Sequence, residues 1–418
     1  MLKALSKIPR WQRTLIVLFF SQMATAVGFS SIFPFLPLYV KSLGSSTGMS
    51  VELLSGLVFS AQAFTMMLAA PVWGRLADRY GRKLMVIRAS FGGAIVLLMM
   101  AYAQTAEQLI ALRALQGLIS GTVAANSALL AAQVPRERMG YAMGMLQVGL
   151  GAGVAFGPLI GGIVADTFGY ASAFYVTAVM LFLAGVLVFI GVQEDFHPQI
   201  SEEREGQGIF AFWGQLLKFP GVKQTYSLRF LVQLARSMLI PVMPLFVVQL
   251  MADAARVNSF TGLLIGTRAA ATTVSAMFLG RLADRVGHRK VAVVSAILAG
   301  LFYIPQSLVT SEWQLLVLAT LVGVALGGVI PTLSAILARY TESGAEGAVF
   351  GLDTSIRSGA RSVAPLLGSW IAISWDLRGT FVVTGLVLLA TGFAARIILP
   401  EPAQPRKPSI PRPHPSNL

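Results

Sequence analysis

Eight charged side chains stand inside stretches that are otherwise apolar over about 20 residues, the length that crosses a bilayer. Seven of them are arginines: Arg88, Arg113, Arg229, Arg236, Arg268, Arg357 and Arg361. The eighth is the carboxylate of Asp353. An arginine at membrane depth costs roughly 2.5–3.5 kcal/mol unless it faces a partner or water. The eight positions therefore predict polar surroundings inside the membrane, where a solute or a proton can bind.

Asp353 is the side chain best suited to bind and release a proton. It shares a helix face with Arg357 and Arg361, which follow at four and eight residues, so we expect an ion pair with Arg357. Desolvation and a nearby cation both shift the protonation of a buried carboxylate, so its charge can change between two states of a protein. We predict a proton-coupling site at Asp353, although a fixed structural salt bridge explains the same pattern.

The depth of the arginines divides them into two groups. Arg88 and Arg229 fall near span ends and are expected to extend to the membrane surface. Arg236, Arg268, Arg357 and Arg361 fall deeper and are predicted to line a central polar cavity. Neutral polar and aromatic candidates for the same cavity are Gln22, Phe29, Phe33, Gln62, Asn126, Gln147 and Gln233. Such side chains suit a loosely specified amphipathic solute, but each amide can equally form a hydrogen bond between helices.

Composition restricts the class of protein. Of 418 residues, 55% are hydrophobic and only 12% charged, and the mean hydropathy is +0.72, which indicates an integral membrane protein. The net charge of +14 lies in short stretches between apolar runs, so it does not indicate nucleic-acid binding. There is no cysteine, and the three histidines fall in loops or the tail. We therefore predict no enzyme, no metal site and no cofactor.

The elements that position these residues are membrane helices. The sequence predicts an all-α fold of twelve spans, at about 14–40, 52–74, 84–104, 107–131, 139–165, 170–192, 223–250, 259–280, 290–310, 313–338, 346–372 and 378–399. Apart from the seven arginines placed within spans, only Lys41, Arg256 and Arg378 fall on one side of the membrane, and the other basic residues all fall on the opposite side. The positive-inside rule then predicts that both termini are cytoplasmic.

The chain repeats itself at an offset of 206–207 residues. FPFLPLYV (33–40) matches IPVMPLFV (240–247), and GRLADRYGRK (74–83) matches GRLADRVGHRK (280–290). The repeat predicts two pseudo-symmetric six-helix bundles, residues 1–192 and 223–399, with a site between them at mid-membrane. Residues 193–222 form a cytoplasmic linker whose segment 209–219 is predicted to lie along the membrane surface. Residues 400–418 are a Pro-rich, basic tail that we predict to be disordered and cytoplasmic.

Three motifs carry a resemblance to a known family. The paired G-x-L-A-D-R loops resemble the signature loop of the major facilitator superfamily, and Arg113-Ala-Leu-Gln-Gly117 is similar to its second motif. Gly153-x-x-x-Gly157-Pro158-x-x-Gly161-Gly162 resembles the motif of its drug–proton antiporters. Over about residues 12–399 the chain looks closest to the twelve-helix multidrug resistance proteins of the MdtG type.

The resemblance implies a function. Such a protein is a monomeric secondary transporter of the bacterial inner membrane that exports amphipathic drugs by alternating access, takes up protons in exchange, and confers antibiotic resistance. The partners are then a small molecule, protons and membrane lipid, without nucleic acid. The surplus of arginines over Asp353 supports an alternative, a transporter of organic anions or sugar phosphates, because the guanidinium fork suits carboxylate and phosphate.

The resemblance also implies roles for the motif residues. The two loops would form a cytoplasmic gate of Gly74, Asp78, Arg79, Gly81, Arg82, Lys83, Gly280, Asp284, Arg285, Arg289 and Lys290. In that gate we expect the glycines Gly74 and Gly280 to allow close helix approach, and the two aspartates to accept hydrogen bonds from a helix N-terminus. Arg113 would be a proton-relay or packing residue. The span 5 set, Gly149, Gly153, Gly157, Pro158, Gly161 and Gly162, predicts either the seam where the halves rock or a static packing face.

Overall fold

This computed structural model describes residues 9–131, 133–135, 138–194, 222–339 and 346–399, and the regular structure within them is helical. The first half contains the helices Arg10–Ser30, Leu36–Leu43, Val51–Tyr80, Arg82–Met100, Ala106–Ile119, Thr122–Ala131, Met139–Phe168 and Tyr170–Gly191. The second half contains Val222–Met238, Val242–Leu250, Val257–Val286, His288–Tyr303, Glu312–Leu326, Val329–Arg339, Glu346–Ser374 and Leu377–Ile398, with short 3-10 turns at Ala254–Arg256 and Ile304–Leu308.

These helices form the twelve predicted spans, because spans 1, 4, 7 and 10 each consist of two consecutive helices. Span 1 is interrupted at residues 31–35 and span 7 at 239–241; span 4 is interrupted at 120–121 and span 10 at 327–328. Adding the repeat offset of 207 to the first-half positions gives the interruption of span 10 and gives that of span 7 to within one residue at each end. Prolines that cannot donate the next helical hydrogen bond accompany the interruptions of spans 1 and 7.

Counting only the residues that the structure describes, ten of the spans are long and apolar enough to cross a membrane by themselves. The two others are span 4, which the break at Ser120–Gly121 divides into short helices, and span 11, whose first half and centre carry the charged residues Asp353, Arg357 and Arg361. Interrupted or charged backbone at membrane depth is tolerated where it faces protein or water. Both exceptions therefore point to the interior of the molecule.

The packing of the spans repeats in the two halves. In the first half, span 1 packs on span 5, span 2 on span 4 and span 3 on span 6; in the second half, span 7 packs on span 11, span 8 on span 10 and span 9 on span 12. The two bundles meet along two seams, one between spans 5 and 8 and the other between spans 2 and 11. The fold prediction is thus confirmed, and any site shared by the halves must lie between these seams.

The seams are tight at one end of the molecule and open at the other. We call the end with Arg10, the GRLADR loops and Arg396 the basic end, and the other the opposite end. Toward the opposite end, a Cβ on Gly266 would lie 2.5 Å from the carbonyl oxygen of Ala155 across the seam. Toward the basic end, a Cβ on Gly140 or Gly144 would meet no described atom within 4 Å. The halves therefore touch from the opposite end to about mid-depth and separate beyond it.

The predicted segment 209–219 and the tail 400–418 lie outside the described residues, as does most of the predicted linker. Span 7 begins at Val222, where the linker was predicted to end. The boundaries 1–192, 193–222 and 223–399 stay predictions.

Candidate functional site

Asp353 lies buried in the second half and pairs with two arginines. Its Oδ1 is 2.5 Å from Nε of Arg229 on span 7, and its Oδ2 is 3.8 Å from Nε of Arg357, one turn further along span 11. The side chains of Asp353 and Arg229 are only 6% and 5% exposed, whereas that of Arg357 is 36% exposed. The expected pair with Arg357 is present, but the closer partner is Arg229.

Arg229 was predicted to extend to the membrane surface, and that prediction is wrong. Its guanidinium is buried between spans 7, 10 and 11, where Nη1 also donates to the hydroxyl of Ser334 at 3.0 Å. A buried charge needs a counter-charge and further hydrogen bonds, and Asp353 and Ser334 supply both. Arg88 does not extend freely either: its guanidinium stacks on the ring of Trp73, 3.2 Å from the centroid.

The deeper arginines of the second half gather around the same place. Arg229, Arg236 and Arg357 line a cavity of about 20 Å³, together with Val232, Gln233, Ile330 and Leu333. That space holds about one water molecule. Gln233 donates to the hydroxyl of Ser237 at 2.9 Å, and on span 8 Nη1 of Arg268 donates to the hydroxyl of Tyr303 at 3.4 Å.

Arg361 occupies the middle of span 11 and is exposed. On the same helix, Val363, Leu367 and Trp370 form an exposed apolar stripe, the side that faces lipid. At 3.6 residues per turn, Arg361 lies almost opposite that stripe. Its guanidinium therefore points to the gap between the spans, and a cavity wall there remains our prediction.

The first half has a neutral link at the place equivalent to Arg229. Gln22 on span 1 is the residue 207 positions before Arg229, and its Oε1 accepts a hydrogen bond of 2.6 Å from Nδ2 of Asn126 on span 4. Both side chains are almost fully buried. These two amides, predicted as cavity candidates, thus form the interhelical hydrogen bond that was the alternative interpretation.

The other first-half candidates are dispersed. Phe29 and Phe33 are half-buried and belong to a row of rings that continues to Phe59, with centroids 6.0 and 5.7 Å apart. Gln62 is buried, and its Nε2 has no hydrogen-bond partner among the described residues. Gln147 is exposed on span 5. The structure does not bring these side chains together into one cluster.

Arg113 is fully buried between spans 2 and 4. It donates from Nη1 to Oε1 of Gln116 at 2.6 Å and from Nε to the carbonyl oxygen of Val58 at 3.4 Å, and it lies over the ring of Phe59. Within the described part of the chain no carboxylate contacts it, and its Nη2 lacks a partner. This environment favours a packing role; the proton relay stays a prediction.

The gate residues at the basic end are apart in this structure. A Cβ on Gly74 or Gly280 would meet no described atom within 4 Å, so the expected close approach at these glycines is wrong for this arrangement. Gly81 and Gly287 end their helices with φ of 98° and 104°, which only glycine adopts without strain. Among the gate side chains that the structure describes, the exposed charged ones are Arg79, Asp284, Arg285 and Lys290.

The expected hydrogen bonds from a helix N-terminus to the gate aspartates are also not seen. Asp284 lies 3.3 Å from Nε2 of His288 on the next helix, and the side chain of Asp78 lies outside the described residues. Glu194, just after span 6, takes that role instead: it accepts from the backbone N–H groups of Arg82 and Lys83 at 3.0 and 2.8 Å. Arg82 donates further to Ala128, and Arg289 to the carbonyl oxygen of Arg396.

We expect Glu194→Gln to destabilise the purified protein by about 1 kcal/mol, because an amide loses both the charge and one acceptor at the start of span 3. Thermal unfolding in detergent measures the change. Asp284→Asn is the matched control, since this exposed carboxylate accepts no backbone N–H in the described structure, and its effect should stay within about 0.5 kcal/mol. Equal destabilisation by both variants would contradict the capping role.

The glycine motif of span 5 is divided between two neighbours. Gly149, Gly153, Gly157 and Gly161 face span 1 of the same half; a Cβ on Gly153, for example, would lie 2.6 Å from the carbonyl oxygen of Met23. Pro158 and Gly162 instead contact span 8, where Gly162 faces Asn258 and the carbonyl of Pro158 faces Gly262. The seam prediction is therefore wrong for the four stacked glycines, which form a packing face, and the hinge itself stays a prediction.

Sequence reasoning missed two carboxylates, Glu194 and Asp166. Span 5 was predicted to end at residue 165, but it continues to Phe168, where Gly169 with a φ of 84° ends it. The glycine after an apolar run is the signal that could have extended the span by one turn. Asp166 then belongs to the helix and faces the second half.

Comparison with known proteins assigns the chain to a family that accounts for its fold and its motifs. The family model described as Major Facilitator Superfamily matches residues 18–223 and 225–417. The chain is 35% identical to the multidrug resistance protein MdtG of Enterobacter lignolyticus, over 91% of this chain and 90% of that protein. It is 37% identical to the MdtG protein of Serratia proteamaculans, over 92% of this chain and 93% of that protein.

Solved structures agree in fold. A bacterial homologue of the human lysosomal transporter Spinster, in an inward-facing and occupied conformation, superposes with a TM-score of 0.78 at 12% identity, covering 94% of this chain and 97% of that one. The human organic anion transporter MFSD10 superposes with a TM-score of 0.68 at 18% identity, covering 93% and 100%. The chain is a multi-pass membrane transporter and not an enzyme: it belongs to the major facilitator superfamily and, within it, to the MdtG-type multidrug resistance proteins.

Proposed function

We propose that this transporter exports amphipathic drug-like compounds in exchange for protons, by alternating access. The observation that carries the proposal is Asp353, a carboxylate 4% exposed, about two turns inside the helix of span 11 and paired with Arg229 and Arg357. The MdtG relatives are named multidrug resistance proteins, which supports drugs as the exported class.

The ion pair suggests how a proton can be coupled to a change of state. Arginine keeps its charge in proteins, so only Asp353 can titrate within this group. The 3.8 Å separation from the half-exposed Arg357 is loose compared with the 2.5 Å contact to Arg229. Protonation of Asp353 would leave two neighbouring guanidinium groups without their counter-charge, which favours a state in which Arg357 turns to water or to another anion.

We place the protein in the bacterial inner membrane, with the basic end and both termini in the cytoplasm, because nearly all loop arginines and lysines lie at that end. The separation of the halves at the basic end then corresponds to an inward-facing arrangement. We take the monomer as the working unit, with a small molecule, protons and membrane lipid as its partners.

The experiment is a proton-flux measurement in everted membrane vesicles with an imposed pH gradient. Adding an exported compound should dissipate the gradient in vesicles that contain the protein and not in vesicles without it. A panel of amphipathic dyes of different charge identifies the exported class. Compound movement without any change in the gradient would overturn proton coupling.

A second candidate function, transport of organic anions or sugar phosphates, is favoured by Arg361, because an exposed guanidinium at mid-membrane suits an anionic group. If the protein transports anions, Arg361→Ala should raise the KM for an anionic compound about tenfold or more. The KM for a cationic dye should stay unchanged. Arg256→Ala is the control, since its side chain is 81% exposed at the opposite end. An unchanged KM for every anion tested would remove this candidate.

A further inference from the structure

Asp166, near the end of span 5, joins the two halves at the opposite end of the molecule. Its Oδ1 accepts hydrogen bonds from the backbone N–H and Nδ2 of Asn258, at 3.3 and 2.7 Å. Its Oδ2 accepts from the backbone N–H and the hydroxyl of Ser259, at 2.7 and 2.5 Å. Each carboxylate oxygen is thus occupied by one backbone and one side-chain donor from span 8.

The donors belong to the N-terminus of span 8, a helix of 30 residues. The first N–H groups of a helix have no partner within it, and the helix dipole favours a negative charge there. Span 8 provides no cap of its own: Arg256 at its N-cap makes no side-chain cap hydrogen bond, and its first turn has no acidic residue. The other half of the protein supplies the cap.

The backbones beside this contact are close enough to hold it. On span 5, Gly162 precedes Asp166 by one turn and faces the backbone of Asn258. On span 8, Gly262 follows Asn258 by one turn and faces the backbone of Pro158. Small residues on both helices allow this approach. At the start of span 5, near the basic end, a Cβ on Gly140 or Gly144 would meet no described atom within 4 Å, so spans 5 and 8 diverge toward that end.

The repeat shows that this contact belongs to one seam only. The residue 207 positions after Asp166 is Ile373, which cannot accept a hydrogen bond with its side chain. Span 2, the counterpart of span 8, has its own cap, because Ser50 accepts from the N–H of Leu53 and Glu52 lies in its first turn. The carboxylate contact is therefore an addition to the repeated fold and is not needed to start the equivalent helix.

We propose that Asp166 is a gating residue of the transport cycle, whose carboxylate latches the opposite end closed by capping span 8 from across the seam. The proposal rests on the alternating access proposed above. When that end opens, the four hydrogen bonds must break, so the latch favours the arrangement seen here over its outward-facing counterpart.

The test measures the opening of the opposite end directly. The chain has no cysteine, so the double variant Gln104→Cys/Thr310→Cys can carry two spin labels at exposed positions of that end, one in each half. Electron–electron resonance then gives the distance distribution between the halves. We expect Asp166→Asn to raise the ratio of open to closed molecules about tenfold, as the loss of hydrogen bonds to a charged group predicts.

Asp253→Asn is the matched control. Asp253 lies at the same end and accepts a backbone N–H, from Ala255 at 3.0 Å, but within its own half, so its removal should leave the distances unchanged. Should Asp166→Asn fail to fold, Ser259→Ala removes one donor from the other side, and we expect a smaller shift in the same direction. Distance distributions equal to the parent in Asp166→Asn, or in Ser259→Ala where only that variant folds, would overturn the latch.

The distances do not depend on the substrate or the coupling ion, so the two proposals can fail separately. A shift in Asp166→Asn together with no proton flux in vesicles would support the latch and contradict proton-coupled export. Normal proton flux in vesicles together with unchanged distances in Asp166→Asn would support proton-coupled export and contradict the latch.

Discussion

Asp353→Asn should reduce dye-driven proton flux in everted vesicles about tenfold or more, because the variant has no titratable group between Arg229 and Arg357. Movement of the dye down its own concentration gradient should persist, since the cavity is otherwise unchanged. Proton flux and dye movement are measured in the same vesicles. Asp253→Asn, an exposed carboxylate at the opposite end, should keep both.

Stability must be separated from coupling in this experiment. Removing the carboxylate leaves Arg229 buried without a counter-charge, at a cost of about 3–5 kcal/mol. The double variant Arg229→Gln/Asp353→Asn removes both charges and reproduces the glutamine that the first half has at the equivalent position. We expect it to restore the yield of folded protein without restoring proton flux. A well-folded Asp353→Asn protein with full proton flux would contradict the coupling role.

Gly161→Ala should destabilise the protein by about 1–3 kcal/mol, because a Cβ there would overlap the backbone of Ser31 on span 1. A backbone cannot rotate out of the way as a side chain can, so spans 1 and 5 would have to separate. The unfolding midpoint of the purified protein in detergent measures the effect.

Gly144→Ala is the matched control on the same helix, since a Cβ at Gly144 would meet no described atom within 4 Å. Alanine is favoured over glycine inside a helix by about 1 kcal/mol, so this variant should be neutral or slightly more stable. The two substitutions are chemically identical and should have effects of opposite sign. A loss of stability of similar size in both would show that packing against span 1 is not the cause.

The sequence could predict what repeats along one chain. Apolar runs predicted the number of spans, and the offset of 206–207 residues predicted equivalent halves. The interruptions of spans 4 and 10 at equivalent positions agree with that offset, and so does the packing of span 1 on span 5 and of span 7 on span 11. Local patterns of this kind are set by residues close together in sequence.

The sequence could not predict which helix a side chain meets. Spacing along span 11 predicted the contact of Asp353 with Arg357, but the closer partner, Arg229, comes from span 7. The glycine stripe of span 5 predicted close packing without indicating that span 1 is its neighbour. Both outcomes depend on how helices are rotated against one another, and a pattern on a single helix does not contain that rotation.

The matched interruptions of spans 1, 4, 7 and 10 indicate that both halves descend from one duplicated ancestor that already had them. Gln22 and Arg229 occupy equivalent positions in that scheme, as do Leu146 and Asp353. A few substitutions after the duplication would then be enough to place ionisable side chains in the second half, while the first half kept uncharged side chains at the equivalent positions. Exchanging these pairs between the copies would retrace that divergence in the laboratory.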